Sequence, residues 1–356
     1  MLAGFTHEPV VQLSERLAQL APAGLGHCFY ASDGASAIEV ALKMSAHYWR
    51  NEGKSRKTEF ISLQNSYHGE TLGALSVTDV ALFRDAYSAL LKHHDTVPSP
   101  DWRKAEQGES AEGYALRCTE MLEEYLRQHH ESLAAFVIEP LVQGAAGMAM
   151  YHPVYLQRAR ELCDRYQVHL IADEIAVGMG RTGTMFACEQ AGIRPDFLCL
   201  SKGISGGYLP LSVVMSTDTV YQAFYSDETA RGFLHSHSYT GNPLACRAAL
   251  ATLDIFEQDD VLNANRNKAA NFNRLLRTLA EHPKVRHFRN TGMIWAFEVD
   301  SPHGDFAQRC FRLALEQELL LRPMGKTIYF MPPYVVGVDE MNVLVKRTLI
   351  IIEQLG

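Results

Sequence analysis

Short runs that are apolar on both faces, alternating with amphipathic helical stretches, constrain this chain more than any other feature. LAAFVIEP (133–140), VHLIADEI (168–175), DFLCLSKG (196–203) and LPLSVVMST (209–217) lack the in-and-out alternation of a strand with one wet face. Between such runs lie helical stretches. DGASAIEVALKMSAHYW repeats Ile38, Ala41, Leu42, Ser45 and Trp49 at helical spacing; a charged helix is expected over Ala111–His130, and another in PVYLQRARELCDRYQ. Near the start, Thr6 is expected to cap a helix over Pro9–Leu20, with Val10, Leu13, Leu17 and Leu20 on one face. Strands covered on both faces and separated by helices predict an α/β fold on a largely parallel sheet. Ligands of such sheets collect at the carboxyl ends of the strands. After a long helix beginning near Asn242 the pattern changes to GMIWAFEVD, TIYFMPPYV and a closing helix EMNVLVKRTLIIIEQL. The expected division is a large domain over 1–250 and a smaller α+β domain over 251–356.

Composition narrows the function. The sequence has 356 residues, 47% of them hydrophobic, enough for one or two sizeable cores. Its 33 Lys+Arg against 41 Asp+Glu give a net charge of −8 without basic runs interleaved with aromatics, which argues against a nucleic-acid surface. The seven cysteines are scattered with no C-x-x-C pair, as expected of reduced thiols in a cytoplasmic protein. No stretch reaches the ~18 apolar residues that a membrane span requires.

The segment IADEIAVGMGRTGT (171–184) raises a choice of cofactor. GMGRTG satisfies the letter of the G-x-G-x-x-G dinucleotide fingerprint, which would make the protein a nicotinamide oxidoreductase. That motif needs a substantial helix directly after the glycines and an acidic residue ending the next strand. Here TMFACEQAGIRPD leaves room for only about two turns, and the next strand ends in LCLSK. The alternative takes Asp173 and Lys202 together, each ending a hydrophobic strand. A carboxylate and an amine so placed suit pyridoxal 5′-phosphate: the amine forms a Schiff base with the aldehyde and the carboxylate keeps the ring nitrogen protonated. A lone Asp and Lys equally describe a turn cap and a solvated side chain, so the neighbours carry the weight. SDGASAIE puts Gly34, Ala35 and Ser36 at a helix start, where backbone N–H groups can cradle a phosphate, or simply form a capped helix. Tyr67 in NSYHG can stack on a pyridine ring or serve as a core tyrosine. HSHSYTGN offers Ser236, His237 and Ser238 for a second phosphate contact, or as a loop with a cap.

Together, IADEIAVGMGRTG, LCLSKGISGG, LHSHSYTGNPLAC and RPMGKTIYFMPPY, in this order, resemble the class III, fold type I, pyridoxal-phosphate aminotransferases. SAIEVALKMSAHYW, YHGETLGALSV and VIEPLVQGAAGMAMYHP extend the resemblance over nearly the whole chain. It implies a large domain on a mostly parallel, seven-stranded-type sheet, a smaller C-terminal domain, and a homodimer with shared active sites. Lys202 would be the Schiff-base lysine and Asp173 the partner of the ring nitrogen. Gly34 and Ala35 would hold the phosphate, and Tyr67 would line ring and substrate. Ser236 would contact substrate, while His237 and Ser238 would reach the phosphate of the neighbouring subunit's cofactor. Arg322 would bind the substrate carboxylate, a task suited to its bidentate fork; Arg181 would shape the turn after the aspartate strand. The motifs are similar to the branch of the class that serves biotin synthesis. This implies transamination of 8-amino-7-oxononanoate to 7,8-diaminononanoate with S-adenosylmethionine as donor, lysine being the alternative donor and a general ω-amino-acid transaminase the alternative activity. GFTHEPVVQLSERL resembles an internal part of the family. The family's first several dozen residues, with small-domain strands and pocket-shaping aromatics, have no counterpart in this sequence. For a chain beginning at Met1 the expectation is a thinly covered small domain with weak activity, or an inactive dimer partner.

Overall fold

The computed structural model describes Leu2 and residues 4–355. Among the described residues, twelve strands fall into three sheets. Seven of them form the main sheet, in the order β1 (His27–Ala31), β9 (Ser212–Ser216), β8 (Phe197–Leu200), β7 (His169–Asp173), β4 (Leu133–Ile138), β2 (Glu59–Leu63), β3 (Asp95–Val97). β9 runs against both of its neighbours, and the other pairings are parallel. A two-residue ribbon joins β5 (Val142–Gln143) to β6 (Ala149–Met150). Every residue of β4, β7, β8 and β9 is buried, which is why these strands read as unbroken apolar runs.

The helical face expected after β1 becomes α2 (Gly34–Asn51). Its Ala37, Ile38, Ala41 and Leu42 pack against Val137, Ile171, Phe197 and Val214 of the strands. Each large aliphatic or aromatic side chain so buried contributes about 1.5–3 kcal/mol. Ser45 and Trp49, on the same stripe, donate hydrogen bonds to the Ala134 carbonyl at 3.3 and 2.9 Å and fix the helix over β4.

The first helix, α1 (Glu8–Leu20), starts just ahead of the expected Pro9. His7, not Thr6, caps it: Nδ1 accepts from Val10 N at 3.2 Å while Nε2 lies 2.6 Å from the Gly241 carbonyl. The imidazole both caps and tethers, which a threonine one residue further out cannot do. Val10, Leu13 and Leu17 are buried, whereas Leu20 in the last turn is exposed.

Two compact units divide the chain. One holds the residues up to Met179 and Thr184–Glu257; the other holds Gly180–Gly183 and the residues from Gln258 onward. The second unit is built on an antiparallel sheet, β10 (Val285–Thr291), β11 (Ile294–Val299) and β12 (Thr327–Phe330), with Phe272, Trp295, Phe297, Phe306, Phe330 and Met341 in its core. Gly180–Gly183 is knitted into it. Met293 N donates to the Arg181 carbonyl at 3.0 Å, and the Arg181 guanidinium donates to the Pro332 carbonyl at 2.7 Å and covers the Tyr334 ring at 4.3 Å. Among the described residues, no helix is long and apolar enough to cross a membrane.

Candidate active site

Asp173 is the last residue of β7, and Lys202 lies just past Leu200, the end of β8. These strands pair in parallel with Asp173 opposite Cys199, and Glu174 N donates to the Cys199 carbonyl at 3.0 Å. Both residues therefore stand at the carboxyl edge of neighbouring strands, which lie about 4.8 Å apart in a sheet. Lys202 has a left-handed backbone, with φ of 45°, and an exposed side chain that makes no hydrogen bond or ion pair among the described residues. Such a conformation costs about 1–3 kcal/mol and collects at functional sites. The next residue, Gly203, presses on Met179: a Cβ there would stand 2.9 Å from the Met179 Cβ.

Asp173 is buried, and both of its oxygens are engaged. Oδ2 lies 2.8 Å from His68 Nδ1, and Oδ1 accepts from Ile175 N at 3.1 Å. Glu174 turns elsewhere. Its two oxygens accept from Ala187 N and Cys188 N, each at 2.8 Å, at the start of the 3-10 turn Ala187–Ala191. Burial pushes its carboxyl up to about 7. This disposes of the dinucleotide reading of GMGRTG: the glycines lead only to a five-residue turn whose amino end already holds a carboxylate.

The amino terminus of α2 is capped by Asp33, which accepts from Ser36 N at 2.9 Å; Ala37 N donates to the Asp33 carbonyl at 3.0 Å. The N–H groups of Gly34 and Ala35, two of the four that a helix start leaves open, have no partner among the described residues. Glycine contacts bring three segments together here. A Cβ on Gly34 would meet Ile175 Cγ2 at 3.0 Å, and one on Gly69, which has φ of 128°, would stand 2.5 Å from the Ala35 Cβ. Gly34–Ala35, Tyr67–Gly69 and Asp173–Ile175 thus converge on one place.

Tyr67 is half-buried, with its hydroxyl donating to Glu70 Oε1 at 2.8 Å and its ring tilted 5.1 Å from Phe83. Burial, and then Glu70, push the phenol up to about 12. Its backbone N–H donates to Glu139 Oε2 at 3.1 Å, and Glu139 Oε1 accepts from Gly144 N at 2.9 Å. Burial raises Glu139 to about 7. His237 Nδ1 lies 2.8 Å from Ser32 Oγ of the same chain, beside the turn into α2, while Ser236 and Ser238 are exposed. Arg322 belongs to the second unit and is exposed.

The structure adds residues that the sequence did not single out: His68, Glu139, Ser32 and Asp33. His68 comes directly after Tyr67 in NSYHG, and a histidine in a loop leaving a buried strand was the available signal.

The class-III aminotransferase family model matches residues 1–351. An adenosylmethionine-8-amino-7-oxononanoate aminotransferase from Helicobacter pylori is 46% identical, the match spanning 100% of this chain and 80% of that protein. One of the same name from Geobacter sulfurreducens is 41% identical over 97% of this chain and 78% of its own length. Among solved structures, the adenosylmethionine-8-amino-7-oxononanoate aminotransferase of Methanocaldococcus jannaschii superposes with a TM-score of 0.91 at 33% identity, covering 100% of this chain and 81% of that one. A pyridoxal-phosphate-bound amine transaminase from an uncultivated Pseudomonas species gives 0.92 at 31% identity, covering 100% and 83%. The fold is that of the pyridoxal-phosphate-dependent class III transaminases. By sequence and by fold, the chain belongs to the class III aminotransferases.

Proposed function

We propose that this chain transaminates 8-amino-7-oxononanoate to 7,8-diaminononanoate in the cytoplasm, using pyridoxal 5′-phosphate and taking the amino group from S-adenosylmethionine. One observation carries the reading. An amine without a partner among the described residues, on a strained backbone, and a buried carboxylate stand at the ends of adjacent parallel strands, beside a helix start with two N–H donors that are open among those residues. That donor set suits a phosphorylated pyridine aldehyde, whose three recognisable groups are an anion, a ring nitrogen and a carbonyl. The names of the relatives supply the substrate and the donor.

When bound, the cofactor supplies an electron sink for charge developing at the α-carbon of an amine. The residues supply the rest. Gly34 and Ala35 would donate their N–H groups to the phosphate, helped by the dipole of an 18-residue helix. Asp173 would accept from the ring nitrogen and so favour its protonated form. Lys202 would hold the cofactor through its amine and would serve as the general base that takes a proton from the α-carbon of the donor. Tyr67 lines the ring and the substrate, Ser236 contacts substrate, and Arg322 takes the substrate carboxylate in a bidentate pair. In a homodimer His237 and Ser238 serve the partner subunit's phosphate, so each site draws on both chains.

Incubating the purified, pyridoxal-phosphate-loaded protein with the keto substrate and either S-adenosylmethionine or lysine, and following the diamine by mass spectrometry, tests this. Product with S-adenosylmethionine supports the reading. Product with lysine alone changes the donor, and turnover of simple amines without the biotin precursor replaces the proposal with a general amine transaminase.

A further inference from the structure

Lys43 and His235 form a contact that the transamination steps leave without a role. Lys43 is an exposed residue of α2, and its Nζ lies 2.8 Å from His235 Nδ1. The ordinary partner of a lysine on a helix is an acid one turn back, here Glu39. Glu39 is taken: its Oε1 accepts from Gly73 N and Ala74 N at 2.5 and 3.3 Å. An ammonium only donates, so His235 Nδ1 is the acceptor and the ring is neutral, with its proton on Nε2. That nitrogen is buried and finds no partner among the described residues.

The ring is set among Phe233, Phe29 and His237, with centroids 5.8, 6.2 and 5.3 Å away. Two positions further on, His237 Nδ1 lies 2.8 Å from Ser32 Oγ, and His237 N donates to Thr240 Oγ1 at 2.9 Å. Loop 233–240 is therefore pinned twice, once to the turn ahead of α2 and once to the middle of that helix. Ser236 and Ser238 flank the pins. The Lys43 pin depends on charge, because a second proton on His235 removes the acceptor and sets an imidazolium against an ammonium. The charged groups facing the ring are Lys43 and Glu39 from α2 and His237 from the loop itself; Phe29, from β1, brings none. Burial first, then Lys43 and His237, pull the ring below its ordinary 6.5, with Glu39 opposing them.

We propose that Lys43 is a positioning residue for cofactor binding: through neutral His235 it holds loop 233–240 on α2, so that His237 and Ser238 stand ready for a phosphate. This rests on the reading of that loop given above. His235 takes a proton less readily with the loop in place than with the loop released. The hold is therefore complete above pH 6.5 and weakens as the pH falls below it.

The test is cofactor affinity on both sides of pH 6.5, read by titrating the apoprotein with pyridoxal phosphate and following protein fluorescence. The cofactor titrates as well, so each variant is compared with the unaltered protein at the same pH. Ser238→Ala sets the reference for the loop. Lys43→Met removes the donor at an exposed position, Lys43→Arg restores donor and charge, and His235→Asn keeps an acceptor near the place of Nδ1 that does not titrate. Above pH 6.5, Lys43→Met is expected to raise the Kd about 10-fold, the factor carried by one hydrogen bond to a charged group, and Lys43→Arg to recover most of that loss. Below it, the unaltered protein is expected to converge on Lys43→Met while His235→Asn binds more tightly than either. If Ser238→Ala binds as the unaltered protein does, the reading of the loop fails and the role of Lys43 falls with it. If Ser238→Ala weakens binding and Lys43→Met does not, the positioning role alone is overturned. A Lys43→Met loss of equal size on both sides of pH 6.5, or a His235→Asn protein that weakens on acidification as the unaltered one does, overturns the part given to His235. Should His235→Asn not fold, the convergence of Lys43→Met and the unaltered protein decides.

Discussion

Lys57 and Lys202 serve opposite ends of the same sheet, and the contrast between them separates structure from chemistry. Lys57 is buried near the starts of β4 and β7, and its Nζ donates to the carbonyls of His130, Leu133 and Gln167 at 2.5, 2.9 and 2.8 Å. It also lies 4.7 Å from the centre of the Trp49 ring, and burial pulls the amine down to about 8. All three ammonium protons are spent on the fold. Lys202, past the end of β8, is exposed, sits on a left-handed backbone and has no such partner among the described residues. A lysine that closes every hydrogen bond holds chain segments together. One kept open at the cost of backbone strain is available to react.

The contrast is broken most directly at its reactive end. Lys202→Ala is expected to abolish transamination while leaving unfolding within about 0.5 kcal/mol of the unaltered protein in urea, because no contact is lost. Lys57→Met should do the reverse. It strands three carbonyls, that of Leu133 in a buried setting, and is expected to lower stability by about 1–3 kcal/mol, with turnover per folded molecule retained; equal activity losses in both variants would erase the distinction.

Three smaller effects sharpen the picture of the carboxyl edge. Gly69→Ala must place a Cβ 2.5 Å from the Ala35 Cβ on a backbone with φ of 128°. It is expected to cost about 2–3 kcal/mol and to weaken pyridoxal-phosphate binding, both measurable by thermal shift with and without cofactor. Glu139 is raised from 4.5 to about 7, so the folded state holds its proton where the unfolded chain has released it. The stability this provides is full below pH 4.5 and is lost as pH rises through 7, on the order of 3 kcal/mol. Glu139→Gln should therefore show a shallower decline in unfolding free energy over that window; an unchanged slope would place the titration elsewhere, Glu174 being the other acid raised to about 7. Asp33→Ala removes the cap of α2 and is expected to cost about 1 kcal/mol, read from the shift in urea midpoint.

Much of this architecture was legible because burial writes directly into composition. β4, β7, β8 and β9 are covered on both faces, so their sequences show unbroken apolar runs, and the stripe Ile38, Ala41, Leu42, Ser45, Trp49 marks the face of α2 that meets them. β3 and β10 were not legible for the opposite reason. Asp95–Val97 is three residues long, and VRHFRNT carries charges on a partly exposed strand, so neither has an apolar signature. At the site, Asp173 and Lys202 stand out because a charge ending a buried strand contradicts its surroundings. His68 does not, because its partner lies 105 positions away in sequence and only the fold brings the two together. The doublet Asp173-Glu174 carries the same lesson: adjacent acids look equivalent in sequence, yet one meets His68 and the other caps a turn.

If the carboxyl edge is the reactive end of the sheet, Lys202 and not another lysine bonds to the cofactor. Loading the purified protein with pyridoxal phosphate, reducing it with borohydride and mapping the modified peptide by mass spectrometry tests this directly. The expected result is a pyridoxyl group on Lys202 and none on Lys57. A label on Lys57 or on any lysine outside the carboxyl edge of β8, or a protein that takes no label, would contradict it.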